Sequence, residues 1–213
     1  MKNAHRLVTL AAFSLACTGA AASAVSVQVS DAAGKPLADV VVSVAPEAGV
    51  AMPQHLRPAQ IEQRGLKFLP LVSVVQSGSR VTFPNNDRVR HHIYSFSPAK
   101  KFDQKLYSGV AAAPQVFDKA GTVVLGCNIH DRMIAYVRVV DSPYFAKTDA
   151  AGVVRIALPA AGKYTVSAWH YNMTGAMAEQ AIAFEGEASG ALSFKLALKP
   201  PLAEADPSAA PGY

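Results

Sequence analysis

Three side chains in one short stretch can do more than pack. The run from Gly121 to Met133, GTVVLGCNIHDRM, sets Cys127, His130 and Met133 at a C-x2-H-x2-M spacing between two apolar segments. A thiolate, an imidazole and a thioether within one turn-sized loop are soft or borderline ligands, which suit copper better than hard cations. A thiolate with two imidazoles and a weak axial thioether is the donor set of a blue-copper electron-transfer centre, and only one imidazole is then missing. Zinc fits poorly, because methionine is not among its usual ligands. Cys127 and His130 as nucleophile and base form a weak pair, three residues apart on one loop with no evident oxyanion hole. The chain therefore reads as a metal-binding protein and not as an enzyme.

Cysteine usage sharpens this. Lys2 and Arg6 precede an apolar run from Leu7 to about Cys17, and Ala22-Ser23-Ala24 supplies an A-x-A cleavage site, so residues 1–24 read as a secretory signal peptide cut after Ala24. The expected location is the periplasm. No later stretch is apolar and long enough for a membrane span in the mature chain. Of the two cysteines, Cys17 and Cys127, cleavage removes the first. A lone thiol in an oxidising compartment is exposed to oxidation unless something such as a metal engages it.

The elements that must position these residues are strands. The chain has 213 residues, 51% hydrophobic and 16% charged, which excludes a disordered polypeptide. Val25, Val27 and Val29 alternate before a turn at Asp31 to Pro36, and Val40, Val42 and Val44 resume the pattern. Residues 45–70, with Pro46, Pro53 and Pro58, read as a crossing loop. A second strand series runs from Phe68 through Val72 to Val75, Val81 to Phe83, His91 to Phe96, Val116-Phe117, Val123 to Leu125 and Ile134 to Val140. Further strands follow at Val153 to Leu158, Tyr164 to Trp169, Ala181 to Phe184 and Leu192 to Leu198. Short strands, frequent turn residues and no convincing amphipathic helix predict an all-β protein. Only the patch 110–113 favours helix, and the Pro-rich tail 199–213 is expected to be disordered.

Two resemblances organise these strands. The Asp31 to Leu37 turn and the Thr148 to Tyr164 series, T-D-x-x-G…L-P…G-x-Y, resemble the carboxypeptidase regulatory-like, transthyretin-type sandwich. They predict a discontinuous, smaller β-sandwich from residues 25–48 and 142–198, with the stretch 59–141 inserted. That stretch resembles the plastocyanin- and amicyanin-like cupredoxins: V-x-F-x-N-N followed by His, then G-x-x-x-L-G-C-x-x-H-x-x-M, with the short ligand loop of amicyanin. Within the group it is most similar to the secreted "methylamine utilisation proteins". The resemblance implies a cupredoxin-like Greek-key β-sandwich with one type 1 copper site. It places His91, five residues after Asn86, as the first imidazole ligand beside Cys127, His130 and Met133. His92 falls where the family often has an Asn that ties the two ligand segments together. Adjacent strand residues face opposite ways, so only one of the two histidines reaches the metal. His91 is read as the ligand, with His92 as its hydrogen-bonding support or the alternative ligand. Gly126 and the charged Asp131-Arg132 pair depart from the family pattern, while Ile129 and Met133 would leave a small apolar rim around His130.

The expected function is a periplasmic one-electron carrier between protein redox partners; the alternative is a copper-binding or copper-delivery protein without an electron-transfer role. Residues 59–140 carry eleven Lys and Arg against five Asp and Glu, whereas the rest of the mature chain carries seven against ten. Lys100, Lys101, Lys105, Arg88 and Arg90 would steer an acidic partner. No basic helix or finger spacing points to nucleic acid. His170, Met173 and Met177 contain soft donors, but Trp169 and Tyr171 mark an ordinary strand end there.

Overall fold

The structure is a computed structural model that describes residues 23–47, 49–109, 113–159, 161–184 and 189–200. The expected leader thus lies outside the described residues apart from Ser23 and Ala24. So do residues 110–112 of the helix-favouring patch and the tail from residue 201.

Every regular element among the described residues is a strand. The first are β1 (Ser23–Asp31), β2 (Val41–Pro46), β3 (Ala59–Gln60), β4 (Glu62–Gln63), β5 (Phe68–Leu69), β6 (Val72–Gln76) and β7 (Ser79–Thr82). Then come β8 (His91–Ser97), β9 (Lys100–Tyr107), β10 (Gln115–Phe117), β11 (Gly121–Cys127) and β12 (His130–Val140). The chain closes with β13 (Tyr144–Lys147), β14 (Val153–Leu158), β15 (Gly162–Trp169), β16 (Ala178–Phe184) and β17 (Ser189–Leu196).

Alternation drives the first sandwich. Val25, Val27 and Val29 are fully buried on one face of β1, as a period of two requires. They meet Val42 and Val44 of β2 and Val166 of β15, with Phe194 and Leu196 closing the core. The two valine strands do not pair with each other. β1 lies between β14 and β17, and β2 lies between β13 and β15, with β16 beyond. The Asp31 carboxylate accepts from the amides of Ala33 and Lys35, both at 2.9 Å, and this turn sends the chain toward the facing sheet.

The second sandwich packs the five-stranded sheet β6-β12-β11-β8-β9 on the three-stranded sheet β10-β7-β3. Val123, Leu125 and Cys127 of β11, with Met133, Ala135, Val137 and Val139 of β12, point into its core against Phe83, Ile93 and Phe117. The ligand-bearing hairpin is therefore a core hairpin whose inward register continues to its tip. Two strands of more than two residues were not legible in the sequence. β9 is an edge strand in which Phe102 stacks on Phe83 at 5.8 Å while Lys101, Asp103 and Lys105 stay exposed, so its charges hid its pattern. β13 is short. Residues 59–67, expected as part of a crossing loop, hold two two-residue strands, β3 and β4, and β5 begins at Phe68, where the second strand series was expected to start.

A small third cluster, Val41, Val72 and Trp169 with Tyr136, Tyr171 and Met177 around it, joins the two sandwiches. Lys147 Nζ reinforces the junction by donating to the Val72 carbonyl at 2.9 Å.

Candidate metal centre

Antiparallel pairing brings the sequence-distant donors together. Gly126 and Cys127 of β11 pair with Tyr94 and Ile93 of β8, so His91, which opens β8, reaches the end of β11. Cys127 ends β11 and His130 opens β12, leaving a two-residue turn, Asn128-Ile129, with a register shift after Gly126. The Asn128 amide donates to the His92 carbonyl at 3.1 Å, tying the hairpin tip to β8.

The resulting geometry is tight. Cys127 Sγ lies 3.8 Å from His91 Nδ1 and 3.6 Å from His130 Nδ1. The two imidazoles stand edge to face, with centroids 5.1 Å apart at 61°. One donor atom from each of His91, Cys127 and His130 falls within 4.8 Å of the others, the only such group of three or more among the described residues. Cys127 is a buried free thiol. Met133 follows three residues after His130 and is 1% exposed in the same core. A buried thiol and two Nδ1 atoms facing it, with a thioether in the same core, fit copper by the softness of the donors.

Asp87, which sequence reading missed, organises the first histidine. Its Oδ2 lies 2.8 Å from His91 Nε2. The same carboxylate accepts from the Gly65 amide at 2.6 Å and the Leu66 amide at 3.1 Å. Both residues are left-handed, with φ of 62° and 58°, which aims two consecutive amides at one anion. Burial works to raise the Asp87 pKa, but the bond from His91 and those from Leu66 and Gly65 outweigh it and hold the carboxyl below its ordinary value. An anionic acceptor on Nε2 keeps the proton there and leaves the Nδ1 lone pair facing Cys127. The signal available in the sequence was an acid four residues before the histidine.

Tyr107 and Gln63 were also missed, and no local pattern announces them. Tyr107 pairs with His91 across β8 and β9, and its hydroxyl donates to the Phe83 carbonyl. Gln63 Nε2 donates to the Tyr107 hydroxyl at 2.5 Å and to Phe83 O at 3.0 Å. Burial above all pushes the Tyr107 hydroxyl up to about 12, with the Gln63 bond opposing and the field of Cys127 adding to it.

His92 lies apart from this group. Its Nε2 meets Asp103 of β9, and its link to the hairpin tip runs through its backbone carbonyl and not its ring. The apolar rim expected from Ile129 and Met133 is corrected on one side: Met133 is buried, and Ile129 alone is exposed, at 49%. Burial follows from the inward register of β12, which places Met133 with Ala135 and Val137. Asp131 and Arg132 are exposed beside His130, which is half-buried. Arg88 and Arg90 lie exposed just before β8, and the three lysines lie on neighbouring β9.

Neither the protein-family models nor the curated proteins give a match to this chain. Among solved structures it is similar to a purple cupredoxin from Nitrosopumilus maritimus at 26% identity, over 38% of this chain and 99% of that one, with a TM-score of 0.35. Amicyanin from Paracoccus versutus is 16% identical over 46% of this chain and 98% of its own, at 0.36. A copper-containing nitrite reductase from Thermus scotoductus SA-01 is 24% identical over 45% of this chain at 0.37, and the overlap spans only 25% of the reductase.

Proposed function

We propose that the protein is a periplasmic type 1 copper protein that carries single electrons between protein partners, with His91, Cys127, His130 and Met133 holding one copper ion. The carrying observation is the buried Cys127 Sγ facing the Nδ1 atoms of His91 and His130 at 3.8 and 3.6 Å. Copper, when bound, would supply the one-electron couple.

The chain's own residues do the rest. Asp87 fixes the tautomer and orientation of His91, and the β8–β11–β12 pairing fixes the separation of both imidazoles from the thiol. Donors held on strands need little movement to serve two oxidation states. The buried thiol and thioether exclude water from the inner side of the centre. His130, half-buried beside exposed Ile129, is the histidine donor nearer solvent and so the approach for a partner. The cations on β9 and before β8 favour an acidic partner.

Titration of the purified protein with Cu(II) tests the reading. One equivalent should produce an intense visible thiolate-to-copper band and a narrow copper hyperfine splitting. His91→Ala should abolish the colour and His92→Ala should keep it. A colourless complex refutes the type 1 site. A coloured protein that passes copper rapidly to an acceptor protein, yet exchanges electrons slowly, would favour delivery over electron transfer.

A further inference from the structure

The outer face of the five-stranded sheet meets the first sandwich around Trp169, and a cleft of about 530 Å³ opens beside the junction. Its walls include Tyr136, Trp169, His170 and Tyr171. Tyr136 stacks on Tyr171 at 4.8 Å, and the His170 ring lies 4.4 Å from that of Tyr171. Arg138 and Lys199 also line it, and no Asp or Glu does.

Arg138 is the unusual member. Its guanidinium lies 5.7 Å from the Trp169 ring centroid. Nη1 donates to Thr122 Oγ1 and Nη2 to the Met177 thioether, each at 3.1 Å, while Nε is buried with no hydrogen-bond partner. Ion pairs among the described residues join Arg64, His91, His92 and Lys147 to acids, and Arg138 is not among them. Glu179 acts on it only through the field and is itself bonded to Ser167. Burial lowers the Arg138 pKa, with Glu179 opposing, so the cation is under-compensated where it stands. A thioether is a poor acceptor for a guanidinium, which is built to grip a carboxylate through two parallel bonds. A cation seated on the Met177 sulfur also makes this an unfavourable place for a metal ion.

We propose that this cleft binds a small organic anion, a carboxylate on an aromatic or apolar body, with Arg138 as its charge partner and the Trp169, Tyr136 and Tyr171 rings as its apolar walls. The ligand carboxylate would displace the Met177 sulfur from Arg138, and Lys199 would add a second positive charge. Aromatic walls with a few placed polar groups are the usual make-up of a small-molecule site. The site is separate from the Cys127 centre and does not depend on copper.

Trp169 is the only tryptophan of the chain, so its fluorescence reports this cleft directly. Benzoate and its neutral analogue benzamide are titrated into the full chain with excitation at the red edge of tryptophan absorption. Saturable change with benzoate, at least about tenfold weaker with benzamide, is expected from the loss of a charge-assisted contact. Arg138→Gln should weaken benzoate by a similar factor, and Arg138→Lys should recover part of it. Thermal melts of both variants confirm folding, and two-dimensional NMR of the wild type maps the response if a variant unfolds. No saturable response, equal response to benzamide, shifts away from Tyr136 and Tyr171, or undiminished binding by folded Arg138→Gln would each overturn the proposal.

Discussion

Asp87 Oδ2 lies 2.8 Å from His91 Nε2 while the other nitrogen of that ring faces Cys127, so one imidazole is held between a carboxylate and a thiol. Asp87→Asn keeps the shape, removes the charge and turns one of the two accepting oxygens into a donor. Loss of such support to a ligating histidine typically weakens metal affinity about 10- to 100-fold. A competition titration against a chelator of known copper affinity should show that loss, and thermal melts of the metal-free protein report separately what the lost acceptor costs the fold. Unchanged affinity would reduce Asp87 to a tie for the Gly65-Leu66 turn.

Two glycines differ in what surrounds them, and their alanine variants should differ accordingly. A Cβ on Gly152 would sit 2.4 Å from the Val29 carbonyl oxygen, at a φ of 73° that L-residues rarely adopt. Neither the backbone of β1 nor the turn can yield, so Gly152→Ala should cost about 3 kcal/mol or more through overpacking and strain. A Cβ on Gly126 would meet Tyr94 Cζ at 2.7 Å and Oη at 2.8 Å. Those are the outer atoms of a partly exposed ring that can swing away, so Gly126→Ala should cost only about 1 kcal/mol. In a Tyr94→Ala background that smaller cost should nearly vanish. Urea unfolding of the wild type, the three single variants and the double variant measures all of this, and equal costs for the two glycines would contradict the distinction.

The alternating valines of β1 and β2 and the inward run of β11 made the all-β character legible, because burial on one sheet face imposes a period of two on the sequence. The candidate donors Cys127 and His130 were legible as a pair because a two-residue turn keeps them adjacent in sequence as well as in space. His91 needed the resemblance, since no local pattern reports a side-chain contact across thirty-six positions. Asp87 was missed because its partners are contributed by Gly65 and Leu66, in a stretch that looked like plain loop. The same physical reason hid Arg138: its meeting with Trp169 and Met177 exists only once two separate sandwiches touch.

His170 supplies a pH dependence outside the candidate metal centre. Burial lowers its pKa below the ordinary histidine value, with Asp39 opposing. A depressed folded pKa means that the unfolded chain takes up the proton first as pH falls. Stability from the neutral ring is therefore complete above the ordinary value of 6.5 and is lost as pH falls through the lower folded value. His170→Asn keeps an acceptor for the Asn172 amide, which now bonds His170 Nδ1 at 3.2 Å, and cannot titrate in this range. Melting temperatures of the metal-free proteins between pH 8 and pH 5 should fall more steeply for the wild type. Parallel curves would mean that the ring protonates as easily folded as unfolded.

Met133 fills the core, and the proposed copper site gives it a second role that one substitution separates from the first. It is 1% exposed and packs in the core with Cys127 and Ala135, so truncation to alanine should cost about 2–5 kcal/mol whether or not copper is present. Met133→Leu nearly conserves volume and should cost less than about 1.5 kcal/mol in the metal-free protein. Leucine has no sulfur, so a thioether ligand would be lost while the packing is kept. The expected result is a near-native urea midpoint without metal, together with a shifted visible band and a changed reduction potential once copper is added. If Met133→Leu leaves both the spectrum and the potential where they were, the methionine fills the core and does not touch the metal, and the centre is held by His91, Cys127 and His130 alone.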